Sequence, residues 1–597
     1  MLRLQADGIT GAAERLYADI GESDWLTRAG KGGEYAWERG PYYARGLLPL
    51  AFILDDPALK AKAARWTEAF LSGQRENGDF GPKADNWWAN SLVMGYMRDW
   101  YLISGDERAV RFLERYADYL AARLPEHPLI ADSGWARARG GDILDALLWL
   151  HGLKGDPKVL ACARIVADST ADWETFYRSG ERDTAYQEHI VNFNQGMKTP
   201  ALLGLLRGDP APADGYDVAN DPDGWVMRRC GRPDGLVNGT EPLSSRSPTQ
   251  GVELCAQVER IVSAAVEVAV RGNLRAADDM ERVAYNTMPG TFSPDLKGVR
   301  YYHFLNQPKC TNERLGVAHN GEKCNSIVPS PHAGFGCCRS NCHVGWPKFV
   351  QSMWMRTADD GLAAILYGPC RVAVRVGAAR REVEIAMETD YPFDGKVTVR
   401  IVRGGGRFPL AFRIPGWARR PDAGTFVREE REWKAGDLYE LDFPFATDVV
   451  ESGVGLATVV HGPLLYAFDP GQDEKVTADY GDGFVTRELR PKALWNYALA
   501  LKPGETLPVR PVRVRPVGDC PFAPGASPLE LEVPAAVSEF GMWGRFDEGG
   551  FPGQAWDPPA GPIPAPPGGV RPLRLVPIGA TQLRIACFPW FSASKVK

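Results

Sequence analysis

The sequence predicts a multidomain α + β protein, with stacked helical hairpins in the first half and β-sheet domains in the second. Two observations carry this. Asp55-Asp56-Pro57, Gly105-Asp106-Glu107 and Gly155-Asp156-Pro157 recur at a spacing of fifty residues, and an aspartate so placed caps the orphan N–H groups of a helix about to start. Beyond about residue 352 the apolar period shortens to two, in β-branched bursts bounded by glycine.

A unit of fifty residues has room for two helices and their turns. After Asp106 the apolar residues Val110, Leu113, Ala117, Leu120 and Leu124 keep three-and-four spacing, one buried helical stripe. Six hairpins of this kind would take up roughly 300 residues and reach the region of a cysteine doublet, Cys337-Cys338. Closed into a ring they form an (α/α)6 barrel, with a funnel of inner-helix ends and loops. Left open they form a solenoid.

In the second half, residues 363–367, 372–376, 383–387 and 397–401 read as strands of a β-sandwich. Val459-Val460-His461-Gly462-Pro463-Leu464-Leu465-Tyr466 is expected to continue it. A polar segment from about Gln472 to Lys492 then separates a second β region, in which residues 551–570 are too rich in proline and glycine to be anything but a surface loop or strap. The expected division is therefore residues 1–351 for the barrel, 352–471 for the sandwich and 472–597 for the second β-rich domain, the last two supporting the first.

With 69 Lys and Arg against 75 Asp and Glu, the net charge of −6 argues against nucleic acid or an anionic membrane as the main partner. Residues 1–8 lack the apolar core of a signal peptide, and no later stretch reaches the length of a membrane span. The eleven cysteines are odd in number and have no disulfide-scaffold rhythm. A cytoplasmic location is expected, and a homodimer is compatible with the composition.

The chemistry concentrates around the doublet. Adjacent cysteines are awkward to join to each other, and thiolates are nucleophiles and soft metal ligands. With Gln250-Gly251-Val252-Glu253-Leu254-Cys255 they offer one carboxylate and three thiolates, a set suited to tetrahedral Zn²⁺, although the two halves match no zinc-finger spacing. Residues two apart on a regular helix point away from each other, so Glu253 and Cys255 share a metal only at a helix start or an irregular turn. Ser247-Pro248-Thr249-Gln250 reads as a capping box that places such a start nearby. Cys310, Cys324, Cys342, His303, His319 and His332 crowd the same region as substitute ligands or a second site. Buried structural thiols are the alternative for any one of these cysteines.

Elsewhere in the first half, Glu38-Arg39-Gly40-Pro41-Tyr42-Tyr43, Asp85-Asn86-Trp87-Trp88, the stretch from Trp135 to Asp142, and Glu188-His189 combine indoles with carboxylates and imidazole. That is the composition of a carbohydrate pocket. For Trp87 and Trp88 core and pocket are equally good readings.

The Gln250–Cys255 motif, the doublet, and Gly345-Trp346-Pro347-Lys348-Phe349 together resemble glycoside hydrolase family 127, the β-L-arabinofuranosidase family. Residues 412–417 and 433–437 resemble its first β-sandwich. The resemblance implies a closed (α/α)6 barrel and a retaining glycosidase acting on an oligosaccharide or glycoside. It implies Zn²⁺ on Glu253, Cys255, Cys337 and Cys338, Cys337 as nucleophile, and Glu241 as acid/base, twelve residues before Glu253. His189 stands at a substrate-binding position, and Asp142 stands where the resemblance leads one to expect histidine. A carboxyl acting as acid is expected to have its pKa raised. Two other readings stand beside this one: an (α/α)6 hydrolase working through two carboxylates with a structural zinc, and a glycan-binding protein without catalysis.

Overall fold

The aspartates of the fifty-residue repeat do what their spacing implies. Asp56 accepts from the amides of Ala58 and Leu59, Asp106 from Arg108 and Asp156 from Lys158. Each opens an outer helix of a ring of helical hairpins. The computed structural model describes residues 1–209, 214–312, 326–504, 511–538 and 558–592.

The inner helices are α1 (Arg39–Ile53), α3 (Trp87–Ser104), α5 (Gly140–Lys154), α7 (Ile190–Gly196), α9 (Leu254–Arg271) and α12 (Gly345–Gln351). The outer helices α2 (Pro57–Ser72), α4 (Glu107–Arg123), α6 (Pro157–Ser169), α8 (Thr199–Arg207) and α10 (Leu274–Arg282) alternate with them, and α11 (Gly336–Asn341) carries the cysteine doublet. Helix α4 buries Val110, Leu113, Ala117 and Leu120, the stripe read from the sequence. Helices α3 and α5 end on Gly105 and Gly155 in the left-handed conformation, φ 70° and 68°, so the capping aspartate of the next helix follows at once.

The ring closes. Helix α1 packs on α3, α3 on α5, α7 on α9, α9 on α12, and α12 returns to α1. Between α5 and α7 the link is Gln195 Nε2 donating to Asp142 at 2.8 Å. The N-terminal residues pack behind the last turn, Gln5 donating to His343 O and Thr10 Oγ1 lying 2.8 Å from His343 Nδ1. The closed barrel, and not the open solenoid, is the architecture.

Two four-stranded sheets follow. One runs Phe426–Lys434, Gly405–Arg413, Leu362–Ala364, Trp354–Arg356, and the other Leu438–Asp442, Lys396–Arg403, Arg381–Thr389, Cys370–Val376. Alternating residues such as Val383, Ile385, Val397, Val399, Phe408 and Leu410 supply the buried layer. Arg413 ties this layer to the barrel through ion pairs with Asp278 and Glu281 of α10.

Two expectations change here. The segment around Val459–Tyr466 does not extend that sandwich: Ala457–His461 pairs with Leu464–Ala467, which pairs with Arg571–Pro577 of the C-terminal sheet. Alternation marks a strand but not its partner, and the long return from residue 467 to 571 carries no local signal. The polar segment at 472–492 is a β-hairpin, Gln472–Asp479 with Val485–Pro491. It reaches back to the barrel, where Leu489 pairs with Cys310 and Arg487 N donates to Pro329 O. The proline-rich stretch lies in part outside the described residues.

Candidate active site

Residues far apart in sequence meet at a short strand. Strand β1 (Gly251–Glu253) pairs antiparallel with β2 (Tyr302–Phe304), Glu253 opposite Tyr302. Leu254 N donates to Tyr301 O, and α9 begins. Glu253 is therefore extended, φ −67° and ψ 142°, while Cys255 lies in the first helical turn. This bend lets residues two apart face one point. The expected capping box is instead a turn, in which the amide of Thr249 donates to Ser247 Oγ at 3.2 Å, and the helix starts later than Ser247 implies.

Helix α11 brings the doublet to the same point. Cys255 Sγ and Cys338 Sγ are 3.4 Å apart, and Glu253 Oε1 is 3.4 Å from Cys338 Sγ and 3.7 Å from Cys337 Sγ. Ligand atoms of all four residues lie within 4.8 Å of one another. A tetrahedral ion with bonds of about 2.3 Å to sulfur and about 2.1 Å to oxygen holds its ligand atoms about 3.5–3.8 Å apart, so the spacing fits. Glu253 Oε2 is buried without a hydrogen-bond partner, which suits a carboxylate built to meet a cation.

The electrostatics agree. Burial pushes the Cys255 and Cys338 thiols up, and burial together with Glu241 pushes the Glu253 carboxyl well up. Cys337 is driven the other way by hydrogen bonds from Cys255 and Cys338, with help from Arg39. Burial disfavours charge on Glu253, Cys255 and Cys338 while the hydrogen bonds favour it on Cys337; four ionised groups this close and this buried need a positive ion among them. The cluster can hold a metal ion.

Cys337 is the partly exposed member, and it faces a cavity of about 680 Å³. Tyr301 bridges it to Glu241: its hydroxyl donates to Glu241 Oε1 at 2.8 Å and lies 3.7 Å from Cys337 Sγ. Tyr302 also donates to Glu241 Oε1, at 3.1 Å. His189 Nε2 meets Glu241 Oε2 at 2.8 Å. His189 caps α7, its Nδ1 accepting from Val191 N, so the ring proton sits on Nε2 toward Glu241. Glu241 itself has φ 87°, a left-handed conformation unusual for glutamate, and Ile190 N donates to its carbonyl. Burial is the largest influence on the Glu241 carboxyl and pushes it up, but the hydrogen bonds from His189 and Tyr301 and the electrostatic pull of His189 together outweigh it, and the net direction is down. This is the reverse of what the sequence suggests for an acid.

His189, Glu241 and Glu253 also come within 4.8 Å of one another, but both nitrogens of His189 are engaged, which leaves no lone pair for an ion.

The remaining sequence candidates lie elsewhere. Trp87 is fully buried among Tyr119 and His127, in the core. Trp88 stands one layer behind the cavity, donating to Glu38 Oε2 at 2.5 Å with the Arg139 guanidinium 4.1 Å above its ring. Asp142 is buried with Gln195 and with Lys198 at 3.2 Å, and is not among the cavity's lining residues. Cys342 donates to Arg339 O, Cys310 accepts from Gln307, and His303 faces Arg232. His332 lies against Arg339 and Tyr17. None of these joins the thiol cluster; Cys324 and His319 are outside the described residues. Sequence reasoning did not single out Tyr301 or Tyr302, whereas Glu38, Arg39 and Arg139 lie in the stretches read as pocket composition and do line the cavity. Glu38, its carboxyl pushed up by burial against the pull of Arg39 and Arg139, lines the cavity.

No helix among the described residues is long and apolar enough to cross a membrane. Residues 240–351 match the catalytic domain, and residues 361–445 the middle domain, of the GH127 β-L-arabinofuranosidases. No curated protein matches the chain. Among solved structures it is similar to a glycoside hydrolase, with TM-score 0.67 and 17% identity over 97% of this chain and 95% of the other. It is also similar to a GH127 β-L-arabinofuranosidase from Geobacillus stearothermophilus T6, with TM-score 0.66 and 18% identity over 97% and 94%. A third, a GH127 β-arabinofuranosidase, gives TM-score 0.60 and 15% identity over 100% and 96%. Identities this low speak for the shared fold alone, while the two adjacent domain matches speak for the family. The chain belongs to glycoside hydrolase family 127 and is a glycoside hydrolase.

Proposed function

We propose that this enzyme is a retaining exo-hydrolase that releases β-L-arabinofuranose or a closely related sugar, with Cys337 as nucleophile and Glu241 as acid/base. The observation that carries this is the Tyr301 hydroxyl touching both groups, 3.7 Å from Cys337 Sγ and 2.8 Å from Glu241 Oε1. Nucleophile and proton donor can be no farther apart than those two contacts together, close to the separation of about 5 Å that retention needs. The sugar itself is carried over from the names of the similar proteins.

Glu253, Cys255, Cys337 and Cys338 would hold Zn²⁺. When bound, the cation keeps coordinated thiols ionised at neutral pH without a general base. The Cys337 sulfur attacks C1 of the terminal sugar; the C1–S bond forms as the C1–O bond breaks, and Glu241 gives its proton to the departing oxygen. Glu241, now a carboxylate, takes a proton from water as the water oxygen bonds C1 and the C1–S pair returns to sulfur. His189, Tyr301 and Tyr302 aim the carboxylate through both steps, and Trp135 packs edge-on to His189 at 4.7 Å. Asp142 would act from behind the cavity wall, through Lys198 and Gln195.

Glu38 favours a second reading, in which two carboxylates act and the metal is structural, because a buried carboxyl raised in pKa lines the same cavity. Cys337→Ser against Glu38→Gln separates the two. With aryl pentofuranosides as substrates, the first reading predicts that turnover vanishes in Cys337→Ser with the fold intact and survives weakened in Glu38→Gln. The second predicts the opposite order. The catalytic unit is taken to end near residue 351, the β domains behind it serving as support.

A further inference from the structure

A second cavity of about 870 Å³ opens beside the site, and Glu34 and Trp37 line both. We propose that this second cavity is a carbohydrate subsite receiving further residues of the glycan whose terminal sugar sits against Cys337, so that the preferred substrate is an oligosaccharide. This rests on the glycosidase reading given above.

Trp37 is the first support. Its carbonyl accepts from Trp25 Nε1 at 2.8 Å, but its half-buried indole has no ring, cation or hydrogen-bond partner among the described residues. The tryptophans around it are all engaged: Trp25 with Phe70 and Phe80, Trp88 with Glu38 and Arg139, Trp135 with Tyr186 and His189. An unpaired indole at the junction of two cavities is a platform for the apolar face of a sugar ring.

The far wall is the second support. Asp24 accepts from Lys31 N at 2.9 Å and Gly32 N at 2.8 Å, pinning a loop in which Arg28, Gly30, Gly32 and Gly33 all have left-handed φ. Side chains added at those glycines would meet nothing, so packing does not require them and the backbone is left open to a ligand. Arg28 has only the hydroxyl of Ser72 as its side-chain partner, while Arg75 is paired with Asp79 and Lys83 with Asp132. Charges so largely paired suit a neutral glycan rather than an anionic one.

The test compares the p-nitrophenyl glycosides of mono-, di- and tri-β-L-arabinofuranose on wild type, Trp37→Ala and Ala69→Trp. Ala69 lies on α2 and lines only the second cavity. Expected is a preference of about tenfold or more in kcat/KM for the longer substrates, lost in both variants while circular dichroism and melting stay native. A flat wild-type profile, or a preference both variants keep, overturns the proposal. Should the wild type cleave none of the three, the glycosidase reading has failed on its own. Calorimetry of the trisaccharide on wild type and Ala69→Trp then decides the subsite, binding lost in the variant supporting it and no binding, or equal binding, rejecting it.

Discussion

His189 and Glu241 hold each other at 2.8 Å, Nε2 to Oε2, with the histidine tautomer fixed by the Val191 amide. That contact draws the pKa of the carboxyl down. Removing it leaves the Tyr301 hydrogen bond against burial and the nearby Cys337 charge, which both push the Glu241 pKa up. In His189→Ala the limb of the kcat/KM profile that reports protonated Glu241 is expected to move to higher pH, measured on an aryl glycoside. An unmoved limb would mean that another group supplies the proton.

Glu241→Gln removes the donor and keeps the shape. The expected loss is about 10²–10⁴-fold in kcat/KM, greatest for substrates with poor leaving groups. Rate measurements across a series of aryl leaving groups check it, since a true acid matters least when the leaving group departs unaided.

Chelation leaves a buried carboxyl and three thiols facing one another. Melting temperature and turnover should fall together, and both should return with Zn²⁺; an ion at about 1,000 times its Kd stabilises by about 4 kcal/mol. Calorimetry with and without chelator reads this, and full activity in metal-free protein would count against the ligand set.

Arg413 is fully buried between Asp278 and Glu281 at the seam of barrel and sandwich. Arg413→Met strands the buried carboxyl of Glu281 and the partly buried one of Asp278, and a loss of about 3–5 kcal/mol is expected in denaturant unfolding.

His343 is buried beside Thr10, and burial pushes its imidazole down to about 3. The folded state keeps it neutral while the unfolded chain takes up a proton below the ordinary value of about 6.5. The unfolded state then binds more protons, so stability is present above about 6.5 and is lost as pH falls toward about 3. His343→Gln should flatten that part of the stability curve, read by melting between those limits.

Local signals in the sequence reached far into this structure. Capping aspartates at 56, 106 and 156 act within a few residues, so the barrel's repeat was legible from them. Glu253, Cys255, Cys337 and Cys338 were legible because their chemistry is rare, and they do converge. What could not be read depends on long-range pairing. Tyr301 reaches Glu241 only because β2 pairs with β1, and the 472–491 hairpin turns back to the barrel through Cys310 and Pro329. Trp87 and Trp88 are neighbours in sequence, yet one faces the core and the other the back of the cavity, a split no composition shows.

The most direct test is peptide mapping of enzyme quenched in acid during turnover of an aryl pentofuranoside. The account predicts one pentosyl group, carried on Cys337. A sugar found on Glu241 or Glu38, or an inverted product with no adduct at all, would contradict it.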